Sequence, residues 1–232
     1  MKYLNRTLLP FAVLVFAAAA VLVLLLVFGV STTRDIDVSG WDLAVAQLAR
    51  WLLFVLGMHM THRLLVVVIA HGRTRSEFMA QAAAFTVLLS GASALLAAAG
   101  YLLEHLLYTA MGWRQTMSTQ PHFDSGAEFS RIFLAYWAVF AVWTAVGMLV
   151  GIGFDRTPVA GAASLLLGLG LVAPTITAIG GSGRLPLLRD IPFPVFDSLP
   201  LAVALCAGCW ALGLLLTWAL VRDTPVGARA AA

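Results

Sequence analysis

The residues best suited to chemistry in this 232-residue chain are few, and they sit inside apolar runs. Cys206 and Cys209 form a C-x-x-C pair in "LCAGCW", and "MHMTH" gathers Met58, His59, Met60 and His62. Thiolate and thioether donors suit Cu(I). A single C-x-x-C supplies only two ligands, however, and Met58 and Met60 leave a helix on different sides. The sequence therefore predicts no metal site and reads both cysteines as small apolar packing residues. His59, His62 and Arg63 are spaced i, i+3 and i+4, which aligns them as one polar stripe on a helix. Ionisable groups in a membrane span usually face protein or a water-filled cavity. The stripe is thus a candidate translocation path or helix-to-helix lock, the alternative being that Arg63 extends to the headgroups.

Nucleophilic catalysis is the next chemistry to weigh. Six apolar runs together with "GASA" at 91–94, "GWRQ" at 112–115 and "GGSG" at 180–183 faintly resemble rhomboid proteases. In that family the serine nucleophile takes its His base from the sixth helix, because a buried hydroxyl needs a base within hydrogen-bond reach. The last run here, "LAVALCAGCWALGLLLTWALV", contains no His. Ser93 is accordingly read as a small residue at a helix contact. Lys2 is the one lysine, so the chain has no phosphate-binding G-x-x-x-x-G-K-[ST] loop. No catalytic residue is assigned, and the chain is expected not to be an enzyme.

The elements that must carry these residues follow from composition. With 61% hydrophobic and 11% charged residues and a mean hydropathy of +0.95, the chain is far from the ~25% charge of soluble domains. Six runs approach the ~20 residues needed to cross a ~30 Å hydrocarbon layer. Their approximate bounds are 8–30, 41–70 (most apolar from Trp51), 79–103, 129–153, 158–179 and 199–221. Lipid offers the backbone no hydrogen bonds, so each run is expected to be helical, with Pro174 accommodated by its neighbours. The expectation is an all-α membrane protein: one transmembrane domain, residues 1–232, folded as a six-helix bundle. The first run exceeds the ~7–15 apolar residues of a signal peptide and lacks a cleavage pattern, so it reads as a retained helix.

Short basic links and the positive-inside rule place both termini in the cytoplasm of a multi-pass plasma-membrane protein. Cytoplasmic segments then hold Arg73, Arg75, Arg156 and Arg222, and the external links carry most of the acids, Asp42, Glu104 and Glu128 among them. Arg50 reads as an outer-interface residue beside Trp51, and the stretch from Glu104 to Glu128 as a long external link. The net charge of +3 is spread along membrane flanks with no basic stripe, so no nucleic-acid partner is expected.

Between the second and third runs lies a polar island, "HGRTRSEF", made of His71, Gly72, Arg73, Thr74, Arg75, Ser76, Glu77 and Phe78. Gly72 punctuates one helix, and Ser76 with Glu77 can begin the next. This basic turn, the six runs and the absence of a soluble domain resemble permease subunits of ABC-2 type exporters. The resemblance spans nearly the whole chain architecturally, with the turn as its one local match. It implies that residues 71–78 couple to a separate ATP-binding cassette subunit that holds ATP and Mg. Arg73, Arg75 and Glu77 would make charged contacts, and Phe78 would be an apolar anchor. It further implies a homodimer or heterodimer with a second permease, no cofactor bound by this chain, and a re-entrant external segment at 180–198. The scarcity of charge in the helices points to a hydrophobic or amphipathic substrate. A non-transporting membrane scaffold is the alternative, an intramembrane hydrolase the weaker one.

Overall fold

The computed structural model describes residues 39, 41–42, 48–113, 122–179, 196 and 198–223, and every regular element among them is helical. Five helices are long and apolar enough to cross a membrane. They are α1 Arg50–Ala70, α2 Arg75–Met111, α3 Phe129–Arg156, α4 Pro158–Ile179 and α5 Leu199–Arg222. These correspond to the second through sixth expected spans. The first span (8–30), both termini and the 180–198 segment, apart from Phe196 and Ser198, lie outside the described residues.

Four of the helices sit close to their expected bounds, and α4 continues through Pro174. α2 does not: expected at 79–103, it covers 37 residues. Its start is advanced by Thr74, whose hydroxyl accepts the Glu77 N–H at 3.2 Å while the Glu77 carboxylate accepts the Thr74 N–H at 3.0 Å. This reciprocal box satisfies two of the free N–H groups at the helix start. Its end is delayed because Glu104 finds buried partners and so does not break the span; the link expected from Glu104 therefore begins at Gly112. Gly112 adopts a left-handed φ of 71°, and the Trp113 N–H returns to the Tyr108 carbonyl at 2.9 Å, closing the helix. At 1.5 Å per residue, α2 is ~55 Å long and must stand clear of a ~30 Å hydrocarbon core.

α3 is the hub and packs against all four other helices. In its most apolar 18-residue window 78% of residues are buried, against 22% for α5. A helix apolar on every side belongs inside a bundle. Its glycines explain how neighbours come so close. A Cβ on Gly147 would overlap the Phe54 carbonyl of α1, and one on Gly57 of α1 would overlap the Thr144 carbonyl of α3. Gly151 likewise makes room for Thr61, and Gly153 for Ser164 of α4. These small faces serve contacts within one bundle, as small residues do where lipid provides no hydrophobic drive to associate. Trp51, Phe54 and Trp143 add edge-on aromatic packing along the α1–α3 seam.

Candidate functional site

The polar island is the connection between α1 and α2. α1 ends as His71 Nδ1 meets the Val67 carbonyl at 2.7 Å and the Gly72 N–H donates to the Ile69 carbonyl at 2.9 Å. Gly72 has φ 77° with open space around it. The Arg73 N–H donates back to Val68 O at 3.3 Å, and Thr74 then caps α2. The backbone of the turn is therefore pinned, while His71, Arg73, Thr74, Ser76 and Glu77 are exposed.

Two of the expected coupling residues are otherwise engaged. Phe78 is only 1% exposed and lies in the core with Ala82, Phe85 and Leu89, so it cannot be an apolar anchor for a partner. The reason is periodicity: Phe78, Ala82, Phe85 and Leu89 fall on one face of α2, the face turned to the bundle. Arg75 is half-buried, and its guanidinium donates to the Arg222 carbonyl at the end of α5. Glu77 keeps an exposed side chain but spends a carboxylate oxygen on the cap. Arg73 is the outward-facing cation of the turn.

The stripe of His59, His62 and Arg63 lies on the surface of the bundle, with all three residues exposed, so it lines no enclosed path within the described residues. One member of the stripe touches a neighbouring helix. His62 Nδ1 meets Asp155 Oδ1 of α3 at 2.5 Å, with Asp155 much the more buried of the two. The stripe also crosses a π-helical turn, Met60–Leu64, which interrupts the α-helical register assumed from spacing. Thr61 in that turn donates to the Met148 carbonyl of α3 at 2.9 Å.

A second polar cluster, at the opposite end of the bundle, was not anticipated. Glu104, 1% exposed, accepts the Ser39 hydroxyl at 2.5 Å and the Trp41 N–H at 3.1 Å. Asp42 accepts the Tyr101 hydroxyl at 2.5 Å, and Tyr101 contacts the Tyr136 hydroxyl at 2.7 Å. The Trp41 indole donates to the Ala97 carbonyl at 2.9 Å and lies where a Cβ on Gly100 would sit. Arg50, expected at the outer interface, is 5% exposed and within electrostatic reach of Tyr136. Its Nε has no hydrogen-bond partner among the described residues. The cluster straps the segment before α1 onto α2 and α3. No local spacing joins residues about sixty positions apart; the one sequence signal is an acid, Glu104, inside an apolar run. In the nearby loop, the Asp124 backbone N–H and then the Arg131 guanidinium hold the Glu128 carboxyl below its usual range.

A half-open apolar recess of about 210 Å³ lies between α2, α3 and α5, walled by Trp137 and Trp210 and floored by Ala138, Ala141 and Cys206. Both indole N–H groups are already used, by Val87 O and Thr86 Oγ1, each at 3.1 Å. The recess therefore offers a ligand apolar contact and little else. Cys206 and Cys209 are buried and unbridged, and no group of three His, Cys, Asp or Glu side chains suited to a metal occurs among the described residues.

Among the described residues, charge is distributed unevenly between the two ends. The island end carries Arg63, Arg73, Arg75, Arg156 and Arg222 against Glu77, Asp155 and Asp223. The strap end carries Arg50 and Arg131 against Asp42, Glu104, Asp124 and Glu128. No protein-family model, no curated protein and no solved structure matches the chain.

Proposed function

We propose that the chain is a permease subunit of an ATP-driven ABC exporter, forming half of a translocation pathway, with ATP and Mg held by a separate cassette subunit. The observation that carries this reading is the turn at 71–77. Its backbone is fixed by caps at both flanks while His71 and Arg73 project outward. A pre-ordered tip loses little entropy on docking, and arginine offers planar, multi-donor pairing to an acidic partner surface. The shortness and basic character of this link support a cytoplasmic location for the turn, and hence cytoplasmic termini in the plasma membrane.

Closure of a cassette pair would be delivered to the bundle through this turn, and the permease would contribute different affinities for substrate in two states. One bundle is half a pathway, so a second copy or a second permease completes it. The apolar recess favours a hydrophobic or amphipathic substrate. The test is affinity purification of the full chain from native membranes in mild detergent, with identification of what accompanies it. A cassette ATPase at stoichiometric yield is expected. Its absence would leave the scaffold reading in place of this one.

A further inference from the structure

The recess between α2, α3 and α5 has fixed walls. Trp137 donates to Val87 O and Trp210 to Thr86 Oγ1, each at 3.1 Å, and Gly91 leaves room for the Trp137 ring, since a Cβ there would come within 3.3 Å of its nitrogen. Leu134 and Ala207 on the rim are exposed on the outer face of the bundle, which in a membrane-spanning chain looks into lipid. An occupant of these 210 Å³ therefore enters through the bilayer and is apolar along its buried part.

Helix register identifies the polar groups above the recess. α3 and α5 both run toward the island end, where Arg222 meets Arg75. Gly213 of α5 faces Ala145 of α3, because a Cβ on it would lie 3.3 Å from the Ala145 Cβ. Counting back fourteen positions along each helix sets Arg131 level with Leu199, the first residue of α5. Arg131 also shares a stripe of α3 with Leu134, Ala138 and Ala141 of the recess, at i, i+3, i+7 and i+10. At 1.5 Å per residue this lining lies ~4.5 to ~15 Å below Arg131, which matches the ~15 Å of hydrocarbon under one layer of headgroups.

Arg131 is exposed, and its pair with Glu128 at 2.8 Å uses Nη1 alone. α5 opens at Ser198 with no side-chain cap among the described residues, so the positive end of the helix is open to an anion. An apolar slot with an arginine and a helix start one turn above it has the layout of a phospholipid. Asp124 and Glu128 stand beside Arg131, which disfavours a net anionic headgroup and suits one whose phosphate is balanced by an amine.

We propose that the recess holds one acyl chain of a zwitterionic phospholipid, with its phosphate at Arg131 and the start of α5 and its amine toward Glu128 and Asp124. The step from a bound lipid to an exported one rests on the exporter reading; the binding does not.

The test uses the full chain in nanodiscs containing phosphatidylethanolamine with a diazirine on one acyl chain, the labelled residues being identified by peptide mass spectrometry after irradiation. Diacylglycerol and phosphatidylglycerol with the same chain are the comparisons, and exposed Leu166 of α4 reports the surrounding lipid. Labelling of residues 134–141 and 203–210 by phosphatidylethanolamine should exceed that of Leu166, and that by either comparison lipid, about five-fold, the scale of one charge-assisted contact partly screened by water. Arg131→Gln should lower it to the diacylglycerol level and leave diacylglycerol labelling unchanged, while Arg131→Lys keeps part of the difference. Ala138→Leu should fill the recess and abolish its labelling by every lipid; Ala207→Leu, on the exposed rim, does the same where the first variant fails to fold. Recess labelling no stronger than at Leu166, equal for phosphatidylethanolamine and a comparison lipid, or undiminished in the filled variants overturns the proposal, as does a second copy of the chain cross-linked in the recess in place of lipid. Specific labelling in a chain that purifies without any cassette ATPase would keep the lipid site and remove the exporter reading.

Discussion

At the scale of single residues, the bundle is held by contacts too close to admit a methyl group and by buried acceptors that cannot be left without donors. Gly147→Ala would press a Cβ into the Phe54 carbonyl and should destabilise the fold by at least ~1–3 kcal/mol, the usual cost of overpacking. Gly170→Ala, with nothing within 4 Å, is the matched control and should be neutral; thermal unfolding in detergent compares the two. Glu104→Ala would strand the Ser39 hydroxyl and the Trp41 N–H in a dry site, which should cost ~2–4 kcal/mol in the same measurement. The spacing of Gly147 and Gly151 places them on one helix face, but the helix they serve is fixed by tertiary packing and is not written in the spacing. The Glu104 cluster was not legible: its members are joined only by the fold, and an acid beside an apolar run reads equally well as the start of a loop.

At the scale of elements, apolar runs located five helices well because length and hydropathy are set by the bilayer itself. The errors lie at the ends of α2, where local chemistry outweighs hydropathy. The Thr74–Glu77 box draws the start four residues earlier than apolarity alone indicates, and satisfied Glu104 lets the helix run on to Met111. Thr74→Ala should remove about 1 kcal/mol of capping and raise amide exchange over residues 75–79, with the later turns of α2 unaffected. Uniform exchange along α2 in that variant would contradict the assigned start. The π-helical turn in α1 had no signature in "MHMTH", since periodicity presumes regular α-geometry; His59, His62 and Arg63 are all exposed, with His62 against Asp155.

At the scale of the whole molecule, a hub helix is clasped by four others, and a turn with a fixed backbone and an exposed Arg73 stands at one end of the bundle. Composition made the membrane class legible from the sequence, whereas the work of the turn depends on which of its side chains remain free once α2 is capped and Phe78 is buried. Arg73 is therefore the residue on which the exporter reading concentrates, since its replacement leaves the cap, the core and the α5 contact in place. The most direct measurement is vanadate-sensitive ATP hydrolysis by the complex purified through this chain, compared between wild type and Arg73→Glu at equal membrane abundance. The account predicts hydrolysis with the wild type and loss of both the ATPase and at least ~90% of the activity with the charge reversal, as expected when about 1.4 kcal/mol or more of interface energy is removed. Undiminished ATPase recovery and activity in Arg73→Glu would contradict it.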